Sequence, residues 1–533
     1  MKLTDARYVI VQAGGRGTRL EHHTANKPKC LLSIDGEPLL YRLFRQLPGA
    51  HFIVIADTHI EALTAYLATV PPSVQVTVVP TSGTGSLAGM REAIALTVGP
   101  EDAGVADDAG AAGEKDEAGA PTLLLWCDLF FDEGLPDTEL GELPDGLVIV
   151  GTGDGLRCRW SIDDTGRPVE ISSEQRGIAG VFFFPDSAAV QDLPGSGEFV
   201  GSLRASRTAL RPLVIPGIRE FGTVSAVREY LKERKTTRFF NSVEFRSDKV
   251  VKTARLQEFE HLIQAESDWY EYVGGLGFAG IPRMLSRSPL TLDRVPGHNP
   301  FDLTADAARR STVTERIMES LDQLHRHRSV PADPAAVHEM YYTKTLDRLR
   351  RIERLIPNAD AATLIVNGRH CRNPLHPANE EWFRARVESV GTVPFALVHG
   401  DPTFSNMLVT GEDAVWLIDP RGTFGGISYY GDPRYDWAKL LYSAEGNYDQ
   451  FNRGDFLLRV DGATVSLTIA SNGWEDQAKA IRERVADDEP AVDVIHALIW
   501  LSLSGYVLND FDSVLGAFYN GIHHLEATER ADR

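Results

Sequence analysis

From residue 6 to about residue 232 the chain alternates short apolar runs with stretches of helical period, and this alternation constrains its fold more than any other feature. Tyr8–Ala13, His51–Ala56, Val74–Pro80, Thr122–Cys127 and Gly146–Gly151 have the length and aliphatic character of buried strands. Between them, Pro38–Leu47, His59–Ala68 and Gly85–Leu96 read as helices. Apolar strands separated by helices form βαβ units, so this region is predicted to be α/β with a mostly parallel sheet. One stretch breaks the rhythm: Gly99–Ala120 is small, acidic and without aromatics. Such a composition buries too little apolar surface to offset its ordering entropy, and it is expected to be a mobile surface insertion.

Around Lys232–Thr237 the pattern resets. Arg238–Ala254 reads as a hairpin and Gln257–Val273 as a helix. Beyond about residue 300 the chain reads as predominantly helical, with one hairpin-like interruption at Ala396–Asp419. A chain of 533 residues is too long for one ordinary domain, and the reset divides it into residues 1–235 and 236–533.

A formal net charge of -21 argues against general affinity for nucleic acid, whose phosphates are held by clustered Lys and Arg. Cys30, Cys127, Cys158 and Cys371 form no close CxxC pair, so neither a zinc module nor a disulfide framework is expected. The N-terminal stretch MKLTDARYVIVQAGG has no long apolar region, and no run of membrane-spanning length occurs elsewhere. The plain reading is a cytoplasmic protein without membrane insertion.

The first chemical constellation is VQAGGRGTRLEHHTANKPK, from Val11 to Lys29. A strand delivers the chain into Gly14, Gly15 and Gly17, where missing side chains let backbone N–H groups approach phosphate oxygens. Arg16, Arg19, Lys27 and Lys29 add positive charge close by. Chemistry at a nucleotide α-phosphate needs a divalent cation on hard carboxylate oxygens. Asp128, at the C-terminal end of the run LLLWCD, is a candidate ligand, because open α/β sheets bind ligands at that edge.

GGxGTRL followed by KPK resembles the sugar-nucleotide and phosphocholine nucleotidyltransferases, which have a Rossmann-like sheet. The resemblance implies that Gly14, Gly15, Gly17 and Thr18 bind nucleotide, and that Arg19 and Lys29 act on the triphosphate and its developing charge. It also implies Mg²⁺ on Asp128 and on a second acid from a late Asp-x-Gly-Thr type motif. Here Arg219-Glu220-Phe221-Gly222-Thr223 places Glu220 where Asp is usual. Ser82, Gly83 and Thr84, within Pro80–Ala88, fall where the family reads the base. Sugar-phosphate members carry a Glu-Lys pair after their acceptor-side strand, whereas this chain has Ser172-Ser173-Glu174-Gln175.

The second constellation is Leu397-Val-His-Gly-Asp-Pro-Thr-Phe-Ser-Asn-Met-Leu408, followed by Val415-Trp-Leu-Ile-Asp-Pro-Arg-Gly422. An Asp in a loop can orient a hydroxyl or accept its proton, and an Asn and a second Asp beyond it can hold Mg²⁺ against ATP phosphates. The pattern resembles the aminoglycoside phosphotransferase and choline kinase family, which shares the bilobal α+β protein-kinase fold. The resemblance implies that Asp401 is the catalytic base, that Asn406 and Asp419 are metal ligands, and that His399 supports the loop. It further implies that Lys252 binds ATP phosphates and pairs with Glu266, and that Asp293 and Val295 lie in an adenine-binding hinge, Thr291–Gly297. The nucleotide-covering loop would be Phe239–Val243, with Asn241 and Ser242 over the phosphates. Asp436 would brace the catalytic loop. The aromatics Tyr429, Tyr430, Tyr435 and Trp437 are either core or a cage for a quaternary ammonium group.

Together these expectations describe a bifunctional enzyme. One half would phosphorylate a small alcohol with ATP; the other would join that phosphate to the α-phosphate of an NTP, with CTP as the first choice. Choline is the preferred acceptor, and the product an activated precursor for surface-glycan decoration. The alternatives are a sugar kinase with a sugar-1-phosphate nucleotidyltransferase using UTP, dTTP or GTP, and an enzyme in which one half is a silent regulatory module. The expected partners are nucleotides and a small-molecule acceptor, and a homo-oligomer is compatible with them.

Overall fold

The structure, a computed structural model, describes the chain apart from residues 16, 82–84, 98–119, 138, 142, 144, 153–157, 174, 192, 196, 207, 209, 234–240, 256, 304–305, 412 and 532–533. The expectations for Arg16, for Ser82, Gly83 and Thr84, for the acidic insertion up to residue 119, for Glu174 and for Phe239 and Phe240 therefore lie outside the described residues. The chain divides into two compact units, Met1–Lys235 and Thr236–Arg533.

The first unit is built on a nine-stranded sheet. Tyr8–Gln12 runs parallel to His51–Ala56 on one side and to Thr122–Trp126 on the other, with Ile10 opposite both Ile53 and Leu124. Val76–Pro80 continues the parallel part beyond His51–Ala56. Gly177–Phe184 adds antiparallel to Thr122–Trp126. The apolar runs form strands because both their faces are covered: Val9, Ile10, Val11, Phe52, Ile53 and Val54 are all fully buried. The chain first builds outward on one side of Tyr8–Gln12 and then returns to pair on the other. That reversal opens a crevice at the carboxyl ends of Tyr8–Gln12 and Thr122–Trp126, where Gly14 and Asp128 follow their strands.

A second, smaller core of Leu20, Leu32, Ile34, Leu39, Phe130, Phe221, Val227 and Tyr230 lies under this crevice. Phe130, Phe221 and Tyr230 meet edge to face, with centroids 5.1 to 5.4 Å apart. Such aromatic contacts fix geometry as well as burying area. They hold Ile218–Glu220 antiparallel to Leu129–Phe131.

In the second unit a four-stranded antiparallel sheet runs in the order Asn241–Phe245, Lys249–Ala254, Leu290–Asp293, Met284–Arg287. The helix Glu260–Gly275 packs on it, burying Trp269, Tyr270 and Val273. Asn241, Ser242 and Val243 are strand residues paired with Lys252–Ala254, so the expected covering loop does not form at these positions. The remainder is largely helical, with Glu489–Ser504 and Phe511–Ala531 at its core. This sheet with a larger helical part is the bilobal, kinase-like arrangement expected.

One expectation needs correcting. The region beyond residue 300 holds more than one hairpin: Arg369–Arg372, Thr363–Val366, Thr464–Ile469 and Phe456–Asp461 make a further four-stranded sheet. Its hairpins turn at Asn367-Gly368, with φ of 48 and 78°, and at Gly462-Ala463, where Gly462 takes φ 58°, conformations that suit tight turns. Among the described residues, no helix is long and apolar enough to cross a membrane.

Candidate active sites

At the crevice of the first unit, Lys29 is hydrogen-bonded to Asp128. Glu220 stands beside them because the backbone N–H of Phe221 donates to the Asp128 carbonyl at 2.8 Å, fastening one strand end to the other. Gly222 leaves room for them: a Cβ on it would lie 2.6 Å from Glu220 Oε1 and 3.3 Å from Asp128 Oδ2 and would displace the Glu220 carboxylate. Burial, and then the neighbouring Asp128 carboxylate, raise the pKa of Glu220. Burial opposes the charge on Lys29, yet Asp128 and Glu220 overcome it and raise its pKa. Arg19 approaches Glu220 at 3.9 Å from an exposed position. Two hard carboxylates beside one half-buried lysine are a donor set that fits a divalent cation. Lys29 marks the place of positive charge.

The Gly-rich loop is held from the neighbouring strand end. Gly15 N–H donates to Asp57 Oδ1 at 2.6 Å, and Thr58 Oγ1 to the Gly15 carbonyl at 3.3 Å. Gly17 adopts φ 58° against Thr24, whose Oγ1 donates to its carbonyl at 3.0 Å, and Thr18 opens the following turn. Lys27 is buried rather than displayed beside the loop. Asp57 was not expected. Its position directly after an inner strand of the sheet, one strand from the loop, is the signal that identifies it.

In the second unit Lys252 bridges Glu266, at 2.6 Å, and Asp419, and all three side chains are largely buried. Asp419 takes φ 57°, a left-handed conformation that costs a non-glycine residue about 1 kcal/mol or more, and its N–H donates to the Tyr270 hydroxyl at 3.2 Å. The Asn406 side-chain amide donates to the Asp401 carbonyl at 2.9 Å and to its carboxylate at 3.1 Å. The Ile418 N–H donates to the Asn406 carbonyl at 2.9 Å, setting Asn406 beside the segment that leads into Asp419. An amide oxygen and a carboxylate beside a lysine again fit a divalent cation.

Asp436, fully buried, accepts the N–H groups of His399 and Gly400, both at 2.8 Å, and faces His325 at 3.1 Å. His399 spans the loop, its Nε2 2.9 Å from the Ile418 carbonyl and its Nδ1 accepting the Asp401 N–H at 3.3 Å. Burial lowers its pKa and keeps the ring neutral. Burial would also raise the pKa of Asp401, but Lys439 at 2.9 Å and Arg421 at 3.7 Å prevail and hold it well below the usual carboxylate range.

In the expected hinge, two backbone groups already have local partners. Asp293 pairs with Arg283 at 2.9 Å, and its N–H donates to the Arg283 carbonyl, so that donor is unavailable to adenine. Val295 accepts from Gly297 N–H at 3.0 Å. No quaternary-ammonium cage forms from the expected aromatics: Tyr429 stacks on Tyr272 at 4.3 Å, Tyr430 hydrogen-bonds the Tyr272 hydroxyl, and Trp437 is buried against His325. Of the four, Tyr435 alone lines the cavity beside Asp401.

That cavity, of about 290 Å³, is also lined by Lys344, Arg348, Arg421 and Lys439. Lys344 and Arg348 were not expected. They come from a helix far from the motif in sequence, and their one signal is a pair of like charges at i and i+4.

The model of the MobA-like NTP transferase domain matches residues 9–155, and that of the phosphotransferase enzyme family residues 231–461. The chain is a nucleotidyltransferase domain followed by a phosphotransferase domain. No curated protein matches its sequence. Among solved structures, the inositol-1-phosphate CTP transferase from T. maritima is 16% identical over 42% of this chain and 94% of its own, with a TM-score of 0.32. The CTP:phosphocholine cytidylyltransferase from Streptococcus pneumoniae is 14% identical over 43% and 100%, with a TM-score of 0.33. A choline/ethanolamine kinase family protein from Mesorhizobium loti is 15% identical over 55% and 91%, with a TM-score of 0.33. In the nucleotidyltransferase domain the fold brings together Lys29, Asp128, Glu220 and Arg19. In the phosphotransferase domain it brings together Lys252, Glu266 and Asp419, and Asp401 with Asn406. Among the described residues, no group of three or more His, Cys, Asp or Glu side chains is placed to bind a metal.

Proposed function

We propose that the phosphotransferase domain phosphorylates a small alcohol with ATP and that the nucleotidyltransferase domain couples the resulting phosphate ester to a nucleotide, CTP in the first instance, in the cytoplasm. In the first step the acceptor oxygen bonds to the γ-phosphorus, the β–γ bridging bond breaks, and ADP leaves. In the second, an ester phosphate oxygen bonds to the α-phosphorus of the NTP and pyrophosphate leaves. The phosphate made by one domain is the nucleophile required by the other, which accounts for their union in one chain.

Asp401 orients the acceptor hydroxyl and takes its proton. Its low basicity suits a loose transition state, in which positioning matters more than early deprotonation. Lys252 contacts the ATP phosphates, positioned by Glu266, while Asn406 and Asp419 would hold Mg²⁺. In the other domain Asp128 and Glu220 would hold Mg²⁺, and Lys29 and Arg19 neutralise charge developing on the triphosphate. Bound at either site, the ion supplies Lewis-acid stabilisation of phosphate oxygens.

The observation that carries this reading is the same arrangement occurring twice: a lysine withdrawn from solvent and set on an acidic metal candidate, once half-buried beside Glu220 and once buried beside Glu266. Mass spectrometry of the full chain with Mg²⁺, ATP, all four NTPs and a panel of alcohols and sugars tests it. An NDP-linked product that vanishes with Asp401→Asn and returns on adding the phosphate ester is expected. Formation of that product without ATP from the free alcohol would refute the order of steps.

A further inference from the structure

The cavity beside Asp401 has a charge that the reaction alone does not explain. Four cationic side chains line it, against two carboxylates, Asp401 and the exposed Glu339 at its rim. Lys439 and Arg421 have a use, since both balance Asp401. Lys344 and Arg348 do not: among the described residues, neither has a carboxylate within ion-pair distance. The ammonium of Lys344 meets only the Met340 sulfur, at 3.0 Å, a weak acceptor. Arg348 donates to the carbonyl and hydroxyl of Ser502, at 3.0 and 2.8 Å.

The two residues start successive turns of Lys344–Ile352 and share a face, an arrangement that repels and lowers helix stability. Burial, followed by repulsion from Arg348, Lys439 and Arg421, lowers the pKa of Lys344 to about 7. A local rule broken without compensation marks a functional position.

The aromatic wall points the same way. Lys439 lies 4.8 Å from the ring centre of Tyr442 and 5.9 Å from that of Tyr448, while Arg348 and Arg421 lie 5.4 and 5.6 Å from that of Tyr506. The ring faces that could attract a quaternary ammonium already face the protein's own cations.

We propose that this cavity takes an alcohol that already bears an oxyanion, a carboxylate or a phosphate-type group, with Lys344 and Arg348 holding the anion while the free hydroxyl meets Asp401. This deepens the kinase reading and rests on it. It also replaces choline, whose permanent positive charge would enter a cationic cavity, with an acceptor of opposite sign.

Calorimetric titration of the full chain tests it, first with a non-hydrolysable ATP analogue and Mg²⁺, then with D-glycerate, glycerol 3-phosphate and choline. At least one anion is expected to bind. The double variant Lys344→Met, Arg348→Met should weaken that binding tenfold or more, whereas Lys344→Arg should stay within about threefold of the parent. Preference for D-glycerate would identify a carboxylate acceptor, and preference for glycerol 3-phosphate a phosphate-type one. Choline binding more tightly than either anion, absence of anion binding, or an affinity unchanged in the double variant would each overturn the proposal. Failure of the ATP analogue to bind would instead strike the kinase reading; the same anion titrations without it would still decide what the cavity accepts.

Discussion

Lys29 on Asp128 and Lys252 on Asp419 place the same chemical pair in two unrelated folds, and their surroundings differ in an instructive way. Beside Lys29 there are two carboxylates, one of them with a raised pKa, and among the described residues the exposed Arg19 approaches this pair at 3.9 Å from Glu220. Beside Asp401 the imbalance is reversed, with four cations around a cavity lined by two acids, the half-buried Asp401 and the exposed Glu339. Positions that carry charge without an internal partner are costly to keep. The sign of the excess is what the two proposals rest on: a metal ion at the first place, and an anionic acceptor at the second.

The sharpest way to break this comparison is to disable each site separately. Asp128→Asn should reduce nucleotidyl transfer from a supplied phosphate ester by about 10³-fold and leave ATP-dependent phosphorylation intact, while Asp401→Asn should do the reverse on a similar scale. Assays of both half-reactions on each variant read this out, and a joint loss would mean that the domains are not independent catalysts. Asp436→Asn, which disturbs the buried carboxylate bracing His399 and Gly400, should lower the kinase kcat about 10- to 100-fold with a smaller change in KM for ATP. Denaturant unfolding should show a loss of about 1–3 kcal/mol for the same variant.

Glu220→Gln should weaken nucleotidyl transfer about 10-fold and raise the Mg²⁺ concentration needed for half activity, with Glu220→Asp recovering most of the loss. The smallest effect concerns Lys344, whose pKa is lowered on folding, so that its protonation opposes the folded state. Its penalty is absent above the unfolded value, near 10.5, and grows as pH falls toward about 7. Lys344→Met should therefore stabilise the ligand-free chain at pH 7, visible as a rise in Tm. Conversely, anion affinity should fall as pH rises past 7, because Arg348, Lys439 and Arg421 on one side and Asp401 on the other set where Lys344 loses its proton.

Much of the fold was legible because its signals are local. The five apolar runs of the first unit form strands within a few residues of their expected limits, and the catalytic-loop motif carries its own spacing. What escaped is non-local. Thr363–Val366 pairs in parallel with a strand about a hundred residues onward, at Ile365 and Thr464, and no periodicity announces such a partner. The Asn367-Gly368 turn was nevertheless there to be read. The cavity beside Asp401 gathers Lys344, Arg348, Arg421 and Lys439 from three separate stretches, and the like-charge pair of Lys344 and Arg348 does not by itself point to the distant loop it faces. Glu220 was legible as a substitution, but its closeness to Asp128 depends on the aromatic cluster of Phe130, Phe221 and Tyr230.

The bridge from Lys252 to both Glu266 and Asp419 has a consequence for the order of events. A lysine engaged with Asp419 occupies the carboxylate a magnesium ion would need, and the same ammonium is the one the phosphates would need. ATP arriving without its ion would draw Lys252 away and strand an uncompensated acid. The ion arriving alone would turn the lysine from partner into competitor. With the roles proposed above, only the two together would satisfy every charge, so the bridge would favour MgATP as a unit over either component by itself.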